Sequence, residues 1–99
     1  MATPIKLEAI FPSPANPEAW IPYKLSKSAD VKISVYNASG QLIRVLNLGT
    51  KEVGQYLKKD KAAYWDGRNE AGERVSSGVY FCVIQAGGFS DAKKMVVSK

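Results

Sequence analysis

The sequence has no histidine and a single cysteine, Cys82. Lacking histidine, it lacks the commonest general base and the commonest metal ligand. No Ser–His or Cys–His nucleophile pair can be assembled from it. One cysteine excludes an internal disulfide and does not identify a compartment. Long apolar runs are missing as well: none approaches the roughly 18 residues of a membrane-spanning helix. No segment of about ten residues sustains a 3.6-residue apolar period, which predicts almost no helix. The opening Met1-Ala2-Thr3-Pro4 has neither a charged n-region nor an apolar h-region. It does not read as a signal peptide, and any export signal is expected outside this sequence.

What is present fits one domain, residues 1–99, with a core large enough to fold without staples. The composition is that of a soluble globular protein, 45% hydrophobic and 23% charged, with a net charge of +5. Lysines gather at Lys58, Lys59 and Lys61, and again at Lys93, Lys94 and Lys99. Either cluster could attract a phosphate-bearing surface or simply solvate the domain. Neither carries interleaved aromatics or a nucleic-acid motif, so no nucleic-acid partner is expected.

Four of the five prolines, Pro12, Pro14, Pro17 and Pro22, fall within residues 11–22. Proline cannot donate to a ladder, so this stretch reads as an extended, kinked edge segment. The remainder reads as short strands separated by turn signals. Ile5 to Ile10 is a first strand. Trp20 to Leu25 turns Ile21, Tyr23 and Leu25 to one side. Val31 to Tyr36 alternates, with Val31, Ile33 and Val35 on one face. Asn37-Ala38-Ser39-Gly40 is a turn, and Gln41 to Leu48 a strand whose broken alternation predicts a bulge. Gly49 to Gly54 reads as a loop and Gln55 to Trp65 as one returning strand. Asn69-Glu70-Ala71-Gly72 is a hairpin turn. Val79 to Ala86 is the most apolar strand, and Gly87-Gly88 turns it into the last, Ser90 to Val97. The expectation is an all-β, immunoglobulin-like (fibronectin III-like) antiparallel sandwich of about seven strands.

The densest run of signals is Trp65-Asp66-Gly67-Arg68-Asn69-Glu70-Ala71-Gly72-Glu73-Arg74-Val75-Ser76-Ser77-Gly78-Val79-Tyr80, of the form WDGxxxxGxxxxSGxY. Read physically, it is turn construction. Trp65 can plug the core with its indole N–H on a backbone carbonyl. Asp66 can accept backbone N–H bonds just ahead. Gly67 and Gly72 permit positive φ, Gly78 permits a bulge, and Tyr80 can bury its ring while its hydroxyl bonds backbone. As a catalytic acid Asp66 has no paired acid and no base. Asp60, Asp66, Asn69, Glu70 and Glu73 are oxygen donors of a kind calcium loops use, but their spacing is not that of such a loop. No cofactor is implied. Cys82, on a face with Tyr80, Ile84 and Ala86, reads as a small core residue. Trp20, Tyr56 and Tyr64 could stack sugars or cover an edge.

The WDGxxxxGxxxxSGxY run, with its flanks in order, resembles the immunoglobulin-like domain of flagellar hook-capping proteins. It is also similar to the related C-terminal domains that direct proteins through bacterial type IX secretion. Asn16-Pro17 and Ile21-Pro22-Tyr23-Lys24-Leu25 resemble the family's lead-in and second strand. Val31 to Leu46 resembles its VxIxVYNxxGQxIRxL pair, and Lys93-Lys94-Met95-Val96-Val97 its terminal strand. The resemblance implies a non-catalytic C-terminal module of a larger exported protein, found outside the cell or on its surface. The module would be read by secretion machinery for sorting or surface attachment. Lys93, Lys94 and Lys99 are then the candidate recognition residues, and an anionic surface polysaccharide is a further candidate partner. The alternatives are an assembly scaffold, as in hook capping, in contact with machinery or neighbouring domains, or a carbohydrate-binding module.

Overall fold

Apolar side chains that alternate with polar ones can be sorted into a buried and a solvated face by extended backbone. The computed structural model describes residues 4–98, which form nine strand segments and no helix. These are β1 (Ile5–Leu7), β2 (Ala19–Ile21), β3 (Tyr23–Leu25), β4 (Ala29–Asn37), β5 (Leu42–Lys51), β6 (Gly54–Tyr56), β7 (Ala63–Trp65), β8 (Gly78–Ala86) and β9 (Phe89–Val97). One antiparallel sheet has the order β5-β4-β8-β9. The other layer consists of β1-β3-β6 and the pair β2-β7. β2 and β3 are one strand interrupted at Pro22, which has no N–H to offer the ladder. β6 and β7 are likewise two pieces of one return path. Counted so, the nine segments make seven strands, the immunoglobulin-like sandwich.

Ile33, Val35, Trp65, Tyr80 and Ile84 are all buried, as is the Ile21, Tyr23 and Leu25 face. Tyr23 stacks on Tyr56 at 4.7 Å between ring centroids. Burial, and then the neighbouring Tyr56, push its phenol up to about 12.

Three boundaries differ from the sequence reading. The first strand ends at Leu7 rather than Ile10. Beyond it Glu8 donates to the carbonyl of Pro22, and proline returns no donor. The expected strand Gln55 to Trp65 breaks after Tyr56 and resumes at Ala63. Lys58-Lys59-Asp60-Lys61 has no apolar side chain to bury, and a turn forms in which Lys61 and Ala62 donate to the Lys58 carbonyl. Conversely, Gly49 to Lys51 is strand rather than loop, pairing with Ala29 to Val31. The expected bulge in β5 is present twice. The register slips between Val31 and Lys32 and between Val35 and Tyr36, and the extra residues Leu48 and Ile43 turn onto the core.

Both open sides of the sandwich are closed by side chains and irregular backbone. On one side the proline-rich segment crosses from one layer to the other. Phe11 pairs with Trp20, then Ala15 bridges to Val97, donating to the Val96 carbonyl and accepting from the Ser98 amide. Beside it the Asp91 carboxylate of β9 accepts the Leu7 amide of β1 and the Ala92 amide. On the other side Arg44 and Glu70 tie β5 to the loop after β7.

Candidate functional site

Trp65 is fully buried and its indole N–H donates to the Arg68 carbonyl at 3.0 Å. That bond folds the chain back on itself, and Asp66 fixes the bend by accepting the Arg68 amide at 3.0 Å. Gly67 takes φ 75°. A Cβ there would lie 2.6 Å and 2.7 Å from Pro17 Cβ and Cγ, so the glycine is needed for space as well as for backbone conformation. Gly72 takes φ 83° with open space around it. Gly78 does not form the bulge expected of it. It opens β8 in unbroken register opposite Val97, with φ 155°. Tyr80 packs its ring against Trp65 at 5.9 Å, and its hydroxyl donates to the Ser76 carbonyl at 2.7 Å. A tyrosine at the start of this strand, bonded a few residues upstream, is the tyrosine corner of such sandwiches.

Arg44 does not stand out in the sequence, yet it joins this run to the sheet. Its guanidinium donates to Asp66 Oδ1 at 3.1 Å and to the Arg68 carbonyl at 3.2 Å. It also lies 3.7 Å from Glu70 Oε1. Glu70 in turn caps the edge of β5, its amide donating to the Ile43 carbonyl and its carboxylate accepting the Val45 amide. Strand edges left open invite pairing with other chains, and here one glutamate supplies both a donor and an acceptor. A signal was available. Asn37-Ala38-Ser39-Gly40-Gln41 and Asn69-Glu70-Ala71-Gly72-Glu73 share an N-x-x-G-[Q/E] pattern and fold alike. In each, Asn Oδ1 accepts the amides two and four residues on, and Nδ2 donates to the Gln or Glu side chain. The glycines sit at φ 84° and 83°.

The other oxygen donors are therefore engaged: Asn69 Oδ1 by two amides, Glu73 Oε1 by Asn69, Glu70 by Val45 and Asp66 by Arg68. Asp60 lies in the turn after β6. Among the described residues no three acidic or thiol side chains converge as a metal site. Cys82 is buried, and desolvation pushes its thiol up to about 12, so it is protonated and unreactive at neutral pH. Of Trp20, Tyr56 and Tyr64, only Tyr64 is exposed. Trp20 is flanked by Phe11 at 6.1 Å, Tyr64 at 5.3 Å and the Lys59 ammonium at 4.3 Å, and Tyr64 donates to Glu18. These contacts cover an edge and leave no open stacking platform on Trp20.

Lys93 and Lys94 stand on β9, the edge of the four-stranded sheet. Consecutive strand residues point to opposite faces, so they do not form one strip. Lys93 is paired with Cys82 on the sandwich-facing side, and Lys94 with Phe81 on the outer side. Lys99 lies outside the described residues. Ala86 and Phe89 close the two-residue turn at Gly87, which has φ 60°. Counted from that closing pair, Ser90, Ala92, Lys94 and Val96 direct their backbone groups outward. Ala15 takes up the Val96 carbonyl, and Asp91 the Ala92 amide. Between these two closures remains a groove of about 290 Å³, with Lys93, Lys94, Met95 and Val96 on one wall and Ala9, Ile10, Pro12 and Ser13 on the other.

The fold and these contacts define a small immunoglobulin-like sandwich whose polar groups mostly build turns and close edges. The FlgD Ig-like domain family matches residues 16–88, and the chain belongs to that family. No curated protein matches it. Among solved structures it is similar to latent, dimeric PorU from Porphyromonas gingivalis, with TM-score 0.70 and 22% identity over 97% of this chain. It is similar to FlgD from P. aeruginosa, with TM-score 0.58 and 24% identity over 74% of this chain. It is also similar to PorZ of Porphyromonas gingivalis, an essential bacterial surface component of the type-IX secretion system, with TM-score 0.60 and 19% identity over 92% of this chain. At these identities the likeness is one of fold. The chain spans 10% of PorU, 54% of FlgD and 11% of PorZ.

Proposed function

We propose that this chain is a non-catalytic sorting or surface-attachment module at the C-terminal end of a bacterial exported protein, recognised by secretion machinery as a folded body. The observation behind this reading is that nearly the whole chain superposes on domains of PorU and PorZ, the latter a surface component of type IX secretion. The non-catalytic part rests on a sequence without histidine and on hairpin carboxylates already committed to backbone amides. The recognition surface in this reading is the stretch of β9 from Ser90 to Lys94. Apart from the Ala92 amide, which Asp91 holds, its outward backbone groups can pair with a receptor strand. Lys93 and Lys94, one on each face, would steer an acidic partner from either side.

The test is a fusion of residues 4–99 behind a signal peptide and a reporter, in a host with type IX secretion. The reporter should reach the cell surface or medium. Deleting Ala92 to Lys99 should hold it in the periplasm, and Lys93→Glu with Lys94→Glu should reduce export. If the intact fusion stays in the periplasm, the sorting reading fails. The family match to FlgD would then favour an assembly scaffold.

A further inference from the structure

The outer face of the four-stranded sheet is apolar over half its length, in a domain whose other sheet carries Lys6, Lys24 and Gln55 in the corresponding place. On β8, Tyr80, Cys82 and Ile84 enter the core, so Val79, Phe81 and Val83 must point away from it. The register aligns them with neighbours of the same kind. Phe81 stands beside Tyr36 and, through it, Leu42, while Val79 stands beside Val96. Leu42 is 52% exposed, Val96 43%, Phe81 39% and Val79 37%. Ser34, at the margin of this patch between Val45 and Val83, is buried although it lies on the outer face. Further along the same face the character changes to Lys32, Asn47, Gln85 and Ser90.

Among the described residues, the only charge inside the apolar half is Lys94, paired with Phe81 across β8 and β9. It has no ion-pair partner among them. Glu70, which caps the opposite edge of this sheet at β5, is already held by Val45 and Arg44. An apolar surface centred on a phenylalanine and a tyrosine has the composition of the core of a protein interface, and the one lysine within it calls for an opposite charge on whatever covers it. We infer that this face docks a protein partner whose own apolar patch carries a carboxylate that meets Lys94. A second copy of the chain is a poor fit. It would bring two Lys94 ammonium groups and two domains of charge +5 together with no carboxylate in either patch. The inference shares Lys94 with the proposed β9 recognition surface, whereas Phe81 and Leu42 stand on the sheet face away from that edge, so it is the adducts at those two positions that separate it from the sorting role.

The experiment places the photo-crosslinking residue p-benzoylphenylalanine at Phe81, at Leu42 and, as a control in the polar half, at Gln85. The full-length protein is used, in cells that naturally make it. Adducts are expected at Phe81 and Leu42 but not at Gln85, mapping to an apolar protein segment that contains Asp or Glu. Lys94→Glu should lower their yield about tenfold, the effect of one lost charge contact, while the melting temperature stays unchanged. Changing the mapped carboxylate to Lys should then restore the yield. The inference is overturned by equal labelling at Gln85, by no adduct at either apolar position, or by no response to Lys94→Glu. It is equally overturned if the adducts are to lipid or glycan, or if they join two copies of the chain.

Discussion

Gly67→Ala should be among the most damaging one-carbon changes in this protein. Two costs coincide. Alanine at φ 75° costs about 1–2 kcal/mol in the left-handed region. The added Cβ would also fall 2.6 Å from Pro17 Cβ, 2.7 Å from its Cγ and 3.0 Å from its carbonyl oxygen. Pro17 is a ring with little freedom to move, so relief requires a backbone shift, at a cost of about 1–3 kcal/mol. The expected loss is about 2–5 kcal/mol, a large part of the roughly 5–15 kcal/mol that holds a small domain together. Gly72 is the internal control. It has the same kind of backbone, φ 83°, and nothing lies within 4 Å of where its Cβ would stand. Gly72→Ala should therefore cost only about 1–2 kcal/mol. Urea unfolding followed by the fluorescence of buried Trp65 measures both. In a Pro17→Gly background, Gly67→Ala should fall towards the cost of Gly72→Ala. Equal costs for the two glycines in the wild-type background would refute the argument that the Pro17 contact matters.

Trp65→Ala should cost about 3–5 kcal/mol, since it empties the largest fully buried site and removes one of the two bonds to the Arg68 carbonyl, leaving that from Arg44; thermal unfolding checks this. Arg44→Met should cost about 1–3 kcal/mol by removing the bonds to Asp66 and Arg68, and amide exchange should quicken first in residues 66–74. Stability should fall as pH rises above about 9, because the unfolded Cys82 thiol ionises near 9.0 while the buried one resists up to about 12. The folded state then holds more protons than the unfolded state, at about 1.4 kcal/mol per pH unit in that window; Cys82→Ala should flatten the slope in alkaline urea titrations. Millimolar calcium should leave the melting temperature unchanged, since a saturated specific site would add about 2.7 kcal/mol at a hundredfold excess over Kd.

The sandwich was legible because its strands alternate in the simplest way. Val31, Ile33 and Val35, or Tyr80, Cys82, Ile84 and Ala86, leave no choice of face. Where the sequence reading slipped, the cause was local. Pro22 breaks a ladder from the far side, which the Ile5 to Ile10 pattern itself does not record. Four consecutive charged residues interrupt the return strand although apolar residues stand on both sides of them. The turn glycines and Tyr80 announced themselves by type and position. Arg44 did not, because its partners Asp66 and Arg68 are more than 20 residues away and meet it only after β5 has bulged. The separation of Lys93 from Lys94 onto opposite faces follows from strand geometry alone, and was hidden by reading adjacent lysines as one patch.

Recognition of this domain as a folded body by secretion machinery can be tested by grading its stability. The most direct measurement is the exported fraction of the reporter fusion across four forms: wild type, Gly72→Ala, Gly67→Ala and Trp65→Ala. The surface of β9 is untouched in all four, while stability falls stepwise. Export should track the fraction of domain folded at the growth temperature. Export that stays constant across the series, or rises as the domain is destabilised, would contradict folded-body recognition and point to a linear signal in the chain.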